Sequence, residues 1–215
     1  MHPVDCPDFN YEDHPNKTSI LQKAVKLILI ELRTGKLESL ASASDTRSIH
    51  FTLFYHLTPE ECPYYAGNYR GENYRCLKYN QVGIRSDPRV GFPPHQVQGY
   101  IDELGTIIKE SVAALDEGMK LPNAQIPLRD KILYVVSVAC RIFELFLRIH
   151  PYVNGNGHTA RFLMWALLGR YGLWPVGWPI DPRPFDPPYT SLIVDYRNGN
   201  PVPLETFIMQ TLVLN

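Results

Sequence analysis

Apolar residues recur every three or four positions along most of this 215-residue chain, the spacing of helices that bury one face. Leu21, Ala24, Val25, Ile28 and Leu32 mark a first helix that begins near Ser19 and ends near Gly35. Asp45 is a good N-cap for a short second helix carrying Ile49, Phe51, Leu53, Phe54 and Leu57. Residues 95–117, stopped by Gly118, and residues 128–149 predict two long helices. The latter is apolar on most faces, from Ile132 to Leu147, which places it in the middle of a bundle. A helix over 158–171, an irregular Pro-rich connector over 175–188 and short helices near 189–196 and 204–212 complete the chain. The rhythm breaks in three places. Residues 1–15 are rich in Pro, Asp and His and predict a flexible N-terminal arm ahead of one domain over 16–215. Residues 59–72 read as loop, punctuated by Pro63, Gly67 and Gly71. Residues 75–93 carry the β-formers Tyr79, Val82 and Ile84, a Ser86-Asp87-Pro88 turn, then Val90 and Phe92, and predict a small β-hairpin. The pattern as a whole is all-α with one hairpin.

Charge narrows the partners. Lys and Arg total 21 against 22 Asp and Glu, so no surface built to wrap a polyanion is expected, and no nucleic-acid partner. No apolar run reaches the roughly 20 residues a bilayer span needs, so no membrane anchor is expected. The N-terminus lacks the basic-then-apolar pattern of a leader. The cysteines Cys6, Cys62, Cys76 and Cys140 form no C-x-x-C pair. Cys140 lies in an apolar run and reads as a small buried hydrophobe. Reduced thiols in a cytoplasmic protein are the simplest expectation, with secretion as an effector that carries no readable signal left open.

Candidate chemistry gathers where the apolar helix ends. That helix delivers His150, and Pro151, with no N–H to donate, cannot continue it. Asn154-Gly155-Asn156-Gly157 then precedes a new helix. The glycines permit positive φ and a close approach of backbone to ligand. Successive amides in such a turn form an anion-binding concavity, reinforced by the positive end of the next helix. Arg161, three residues past His158, can clamp phosphate oxygens. This set suits transfer of a phosphate-bearing group to a hydroxyl, with His150 taking the proton while the loop and Arg161 hold the phosphates. A His-Pro pair is commonly a plain helix stop and Gly-Asn-Gly a plain turn; both in one short loop favour the phosphate reading. His150 and His158 match no zinc spacing. The apolar helix and the lack of basic bias disfavour a DNA-binding helix-turn-helix.

The segment His150-Pro151-Tyr152-Val153-Asn154-Gly155-Asn156-Gly157-His158-Thr159-Ala160-Arg161 resembles the Fic motif, H-x-F-x-[D/E]-G-N-[G/K]-R-x-x-R. His150, Gly155, Asn156, Gly157 and Arg161 stand in register, and Tyr152 replaces the usual Phe. Ser48 to Phe54, followed by Ala66-Gly67-Asn68-Tyr69-Arg70, is similar to the family's helix and its lead-in to a hairpin. Gln81-Val82-Gly83-Ile84 through Phe92-Pro93-Pro94 is similar to that hairpin, the flap, and residues 189–207 to the closing helices.

The resemblance implies a Fic fold and a transferase that moves AMP from ATP to a Ser, Thr or Tyr hydroxyl of a target protein. His150 would be the general base. Asn156 and the backbone of residues 155–157 would hold phosphates, and Arg161 would grip the terminal one. Gly83, Ile84, Arg85 and Ser86 of the flap would align the target. Two positions depart from the motif. Asn154 stands where the family has an acidic Mg2+ ligand, which makes its amide oxygen a weaker metal candidate. His158 replaces an arginine that contacts the β-phosphate, and offers only partial charge at neutral pH. Another phosphate-bearing donor and a catalytically inactive binding module therefore stand as alternatives. The family's inhibitory pattern, [S/T]-x-x-x-E-[G/N], is met at only five positions over 34–39 and 106–111. Self-inhibition is not expected, and a separate inhibitor protein is an open partner.

Overall fold

Two consecutive helices form the axis of the molecule, a computed structural model that describes residues 6–83 and 87–214. They are α5 (Leu128–Ile149) and α6 (Asn156–Gly169). Around them lie α1 (Lys17–Arg33), α2 (Ser39–Ser44), α3 (Arg47–Phe54), α4 (Pro94–Lys120), α7 (Tyr189–Arg197) and α8 (Val202–Thr211). The fold is all-α. Its two-stranded sheet pairs β1 (Leu173–Pro175) with β2 (Leu212–Leu214) antiparallel, Trp174 opposite Val213.

The α5 boundaries are those that periodicity predicts. Its Val136, Ala139, Cys140 and Phe143 are sealed in the core, while Tyr134 and Leu128 reach solvent. The more enclosed helix is its partner. Every residue of α6 from Asn156 to Leu168 except Gly157 is buried, so the bundle's centre lies at the α5–α6 contact. Each fully buried Phe or Leu there contributes about 1.5–3 kcal/mol. The helix starts two residues earlier than expected, because the chain turns helical immediately after Gly155. The helix α4 runs past Gly118 to Lys120. The six residues of α2 were not anticipated; they are mostly Ser and Ala, which carry little apolar pattern.

Three expectations are modified. Over 75–93 the described residues carry a single β-bridge, at Asp87, and no longer ladder, while the tip of the hairpin, 84–86, lies outside them. The arms do meet, since a Cβ on Gly91 would lie 2.0 Å from the Val82 carbonyl. The Gly91 and Phe92 amides also donate to the carbonyls of Arg148 and Ile149 at the end of α5, so the second arm is anchored on a helix terminus. Secondly, residues 6–14 are not loose: Phe9 and Tyr11 are buried, packed on Phe54 and Tyr65. Thirdly, the cysteines are not all reduced. Cys6 and Cys76, 70 residues apart, form a disulfide, brought together by the docking of the arm, while Cys62 and Cys140 are free and buried. The disulfide removes the cysteine argument for a cytosol-like compartment. Among the described residues no helix is long and apolar enough to cross a membrane.

Candidate active site

His150 is built by the way α5 ends. Its N–H still closes the last turn on the Phe146 carbonyl at 3.0 Å, but its φ is +54°, the left-handed geometry of a helix C-cap and unusual for a residue other than glycine. Arg70 holds it there. The Arg70 guanidinium is 1% exposed and faces only carbonyls. Nε donates to His150 at 2.8 Å, Nη1 to Asn80 at 3.1 Å, and Nη2 to Phe92 at 3.1 Å and Ile149 at 3.2 Å. The Arg70 amide adds a bond to the Pro151 carbonyl at 2.8 Å. One side chain thus satisfies the helix end, the flap arm and the start of the loop. Burial without an anionic partner lowers its pKa to about 10. The His150 Nδ1–H donates to the Leu147 carbonyl at 3.2 Å, which leaves Nε2 as the acceptor on a ring that lines the cavity below. Burial lowers this imidazole to about 4, so it is neutral and able to take a proton at physiological pH.

The loop after His150 is a rigid cradle. The Asn156 carboxamide bridges Tyr152 in both directions, accepting from its amide at 2.9 Å and donating to its carbonyl at 2.8 Å. Its side chain is therefore a staple of the loop. Gly155 has φ +78°, and a Cβ there would stand 2.4 Å from the Phe54 ring, so only glycine fits. His50 fixes the same turn from beneath. It is fully buried, stacked on Tyr152 at 3.7 Å, donates through Nε2 to the Asn154 carbonyl at 2.9 Å and accepts the Gly67 amide at Nδ1. This positioning role was missed in the sequence, where His50 reads as one more residue of a helix. The loop leads directly into α6, whose start has no side-chain cap. Among the described residues the Gly157 and His158 amides have no protein acceptor, the arrangement that receives an anion at a helix N-terminus.

Arg161 closes the cradle one turn on. It is 2% exposed; Nε donates to the Ile180 carbonyl at 2.8 Å and Nη1 to the Tyr189 hydroxyl at 3.3 Å, while Nη2 is buried without a partner among the described residues. His150, Gly155, Gly157, His158 and Arg161 line one cavity of about 540 Å³, so the predicted residues do converge. His158 donates from Nε2 to Asp181 at 2.9 Å and faces the Tyr11 hydroxyl at Nδ1. Burial lowers its pKa, outweighing the opposing pull of Asp181, so it adds little charge where the motif has an arginine.

Asn154 does not fit the metal role. Its Oδ1 accepts the Gly155 amide at 2.7 Å, and its Nδ2 donates to the Phe9 carbonyl at 2.8 Å and to the Glu12 carboxylate at 3.2 Å. Both ends of the amide face protein, and among the described residues no group of three His, Cys, Asp or Glu could hold an ion. Of the flap residues, Gly83 approaches the Val90 carbonyl, while Ile84, Arg85 and Ser86 lie outside the described residues. Tyr11 and Glu12, absent from the sequence-based set, also line the cavity. The signal was faint: two aromatics, Phe9 and Tyr11, alternating in an otherwise polar stretch.

A neutral buried histidine, the uncapped start of a helix and a buried arginine thus line one cavity of a helical protein. The chain belongs to the Fic/DOC family, whose model matches residues 41–168, and with that family goes a transferase of the Fic type. Among solved structures, the chain is similar to the BepC protein, a VirB-translocated effector of Bartonella tribocorum, in a crystal structure with bound AMPPNP. Identity is 16%, the match covers 94% of this chain and 89% of that one, and the TM-score is 0.55, a likeness of fold. No curated protein matches the chain.

Proposed function

We propose that this chain transfers a phosphate-bearing group, AMP from ATP in the leading reading, to a Ser, Thr or Tyr hydroxyl of a target protein. The observation that carries this is Arg161, which lines the same cavity as His150 and whose Nη2 is buried with no partner among the described residues. A buried guanidinium N–H without an acceptor is costly unless a ligand oxygen completes it. In the reaction the target hydroxyl oxygen attacks the α-phosphorus, and its proton passes to His150 Nε2. The bond from phosphorus to the bridging oxygen breaks and pyrophosphate leaves with the electron pair. The Gly157 and His158 amides, with Arg161, stabilise charge on the phosphoryl oxygens. The AMPPNP held by the BepC structure supports a nucleotide donor.

A second reading, a donor with fewer charges than ATP, is favoured by the state of Asn154 and His158, which bring neither a free metal ligand nor a full positive charge. The test is incubation with α-labelled ATP, Mg2+ and a cell extract. Label should enter a protein band with the wild-type chain and be lost with His150→Ala. Label that survives the substitution removes His150 from the mechanism. A thermal-shift screen across nucleotides and other phosphate esters separates the two donors.

A further inference from the structure

Three guanidiniums, Arg161, Arg183 and Arg197, and two carboxylates, Glu12 and Asp87, line the cavity. Arg183 is paired with Asp186 at 2.8 Å. Arg197 is paired with Asp87 at 2.9 Å and Glu144 at 2.8 Å. Among the described residues this leaves Arg161 as the lining guanidinium with no carboxylate partner, and Glu12 as the lining carboxylate with no cationic one. Lys17 bonds the Glu12 backbone carbonyl, not the carboxylate. Glu12 lies on the arm tethered by Cys6–Cys76, outside the residues 41–168 that the family model matches. Its carboxylate sits 3.2 Å from Asn154 Nδ2, at the mouth of the glycine cradle.

We propose that Glu12 is a donor-selecting residue, whose negative charge in the phosphate cavity disfavours polyphosphate donors and favours those carrying a single phosphoryl group or phosphodiester. The proposal rests on the transferase reading and narrows its substrate class. Glu12 subtracts from the attraction of Arg161 and the free amides most strongly for a triphosphate, with about four negative charges. A donor with one or two charges meets the same cradle with less repulsion. A carboxylate that merely hydrogen-bonded Asn154 to shape the loop would act alike on all donors, so charge dependence separates selection from support.

The experiment is calorimetric titration of wild type, Glu12→Gln and Glu12→Lys with AMPPNP and with inorganic phosphate, in EDTA and again with Mg2+. In EDTA, Glu12→Gln should tighten AMPPNP by about tenfold and inorganic phosphate by about threefold, with Glu12→Lys further along the same line. The gap between the two ligands should close as ionic strength rises. Equal changes for both ligands, no change, or weaker AMPPNP binding in either buffer overturns the proposal; weaker binding with Mg2+ would make Glu12 a group that holds the donor's cation. If neither wild type nor the variants bind either ligand, the phosphate reading itself fails, which is a separate outcome.

Discussion

The Arg70 guanidinium donates to the His150 carbonyl at 2.8 Å, from a position 80 residues earlier in the chain. Because the same side chain also serves Asn80, Phe92 and Ile149, it welds the flap arm to the end of α5 and keeps His150 in its left-handed turn. Arg70→Met keeps much of the volume but strands four carbonyls. Urea denaturation should show a loss on the order of 3–5 kcal/mol. A loss below about 1 kcal/mol would mean that water replaces the guanidinium freely.

The two glycines of the cradle should respond differently to the same substitution. Gly155→Ala forces a Cβ to within 2.4 Å of Phe54 at φ +78°, and strain of this kind costs about 1–3 kcal/mol. The nearest obstacle to a Cβ on Gly157 is the Arg161 Nη1, at 3.2 Å and at the end of a side chain. Gly157→Ala should therefore melt close to wild type yet lose phosphate-ester affinity by thermal shift. Equal melting losses in the two variants would contradict the placement of the loop against Phe54.

Helix α5, its stop at His150 and the glycine turn that leads into α6 were legible in the sequence, because a long apolar period and a glycine-rich turn are local signals. What could not be read was long-range. The pairing of 173–175 with 212–214 rests on three residues each. The 75–93 segment has strand-like residues, but its Gly91 and Phe92 amides find acceptors on α5 that no local pattern announces. The Cys6–Cys76 bridge depends on the docking of Phe9 and Tyr11. Asn156 and Asn154 were correctly placed in the loop, but the partners of a carboxamide are set by three-dimensional neighbours: Tyr152 for one, the arm for the other.

That bridge closes a loop of 70 residues. Constraining the unfolded chain over such a length stabilises by about 4 kcal/mol in the chain-entropy model. Denaturation with and without dithiothreitol should differ by that amount, and Cys6→Ser with Cys76→Ser should match the reduced wild type. Identical curves would indicate that the arm docks without the covalent link.

Acid should destabilise the protein through its buried imidazoles. Burial lowers His50 to about 3 and His150 to about 4, and lowers His158 as well. Unfolded histidines titrate near 6.5. Between pH 6.5 and about 4 the unfolded chain binds protons that the folded chain refuses, so stability is full above 6.5 and falls as pH is lowered through that window. The His150 part is on the order of 3 kcal/mol, and His150→Asn should flatten the slope by that amount. Transferase rate with the free enzyme should be level from pH 8 to about 5, since the base is already neutral. A rate that falls in step with a pKa near 6.5 would contradict the buried setting of His150.

The most direct test is an amide NMR titration of the isotope-labelled chain with AMPPNP and with AMP. The largest shifts should fall on the Gly157 and His158 amides and on the Arg161 side chain, and His150→Ala should retain them while abolishing transfer. Shifts centred elsewhere, with those amides unmoved at saturation, would contradict a phosphoryl group held at the start of α6.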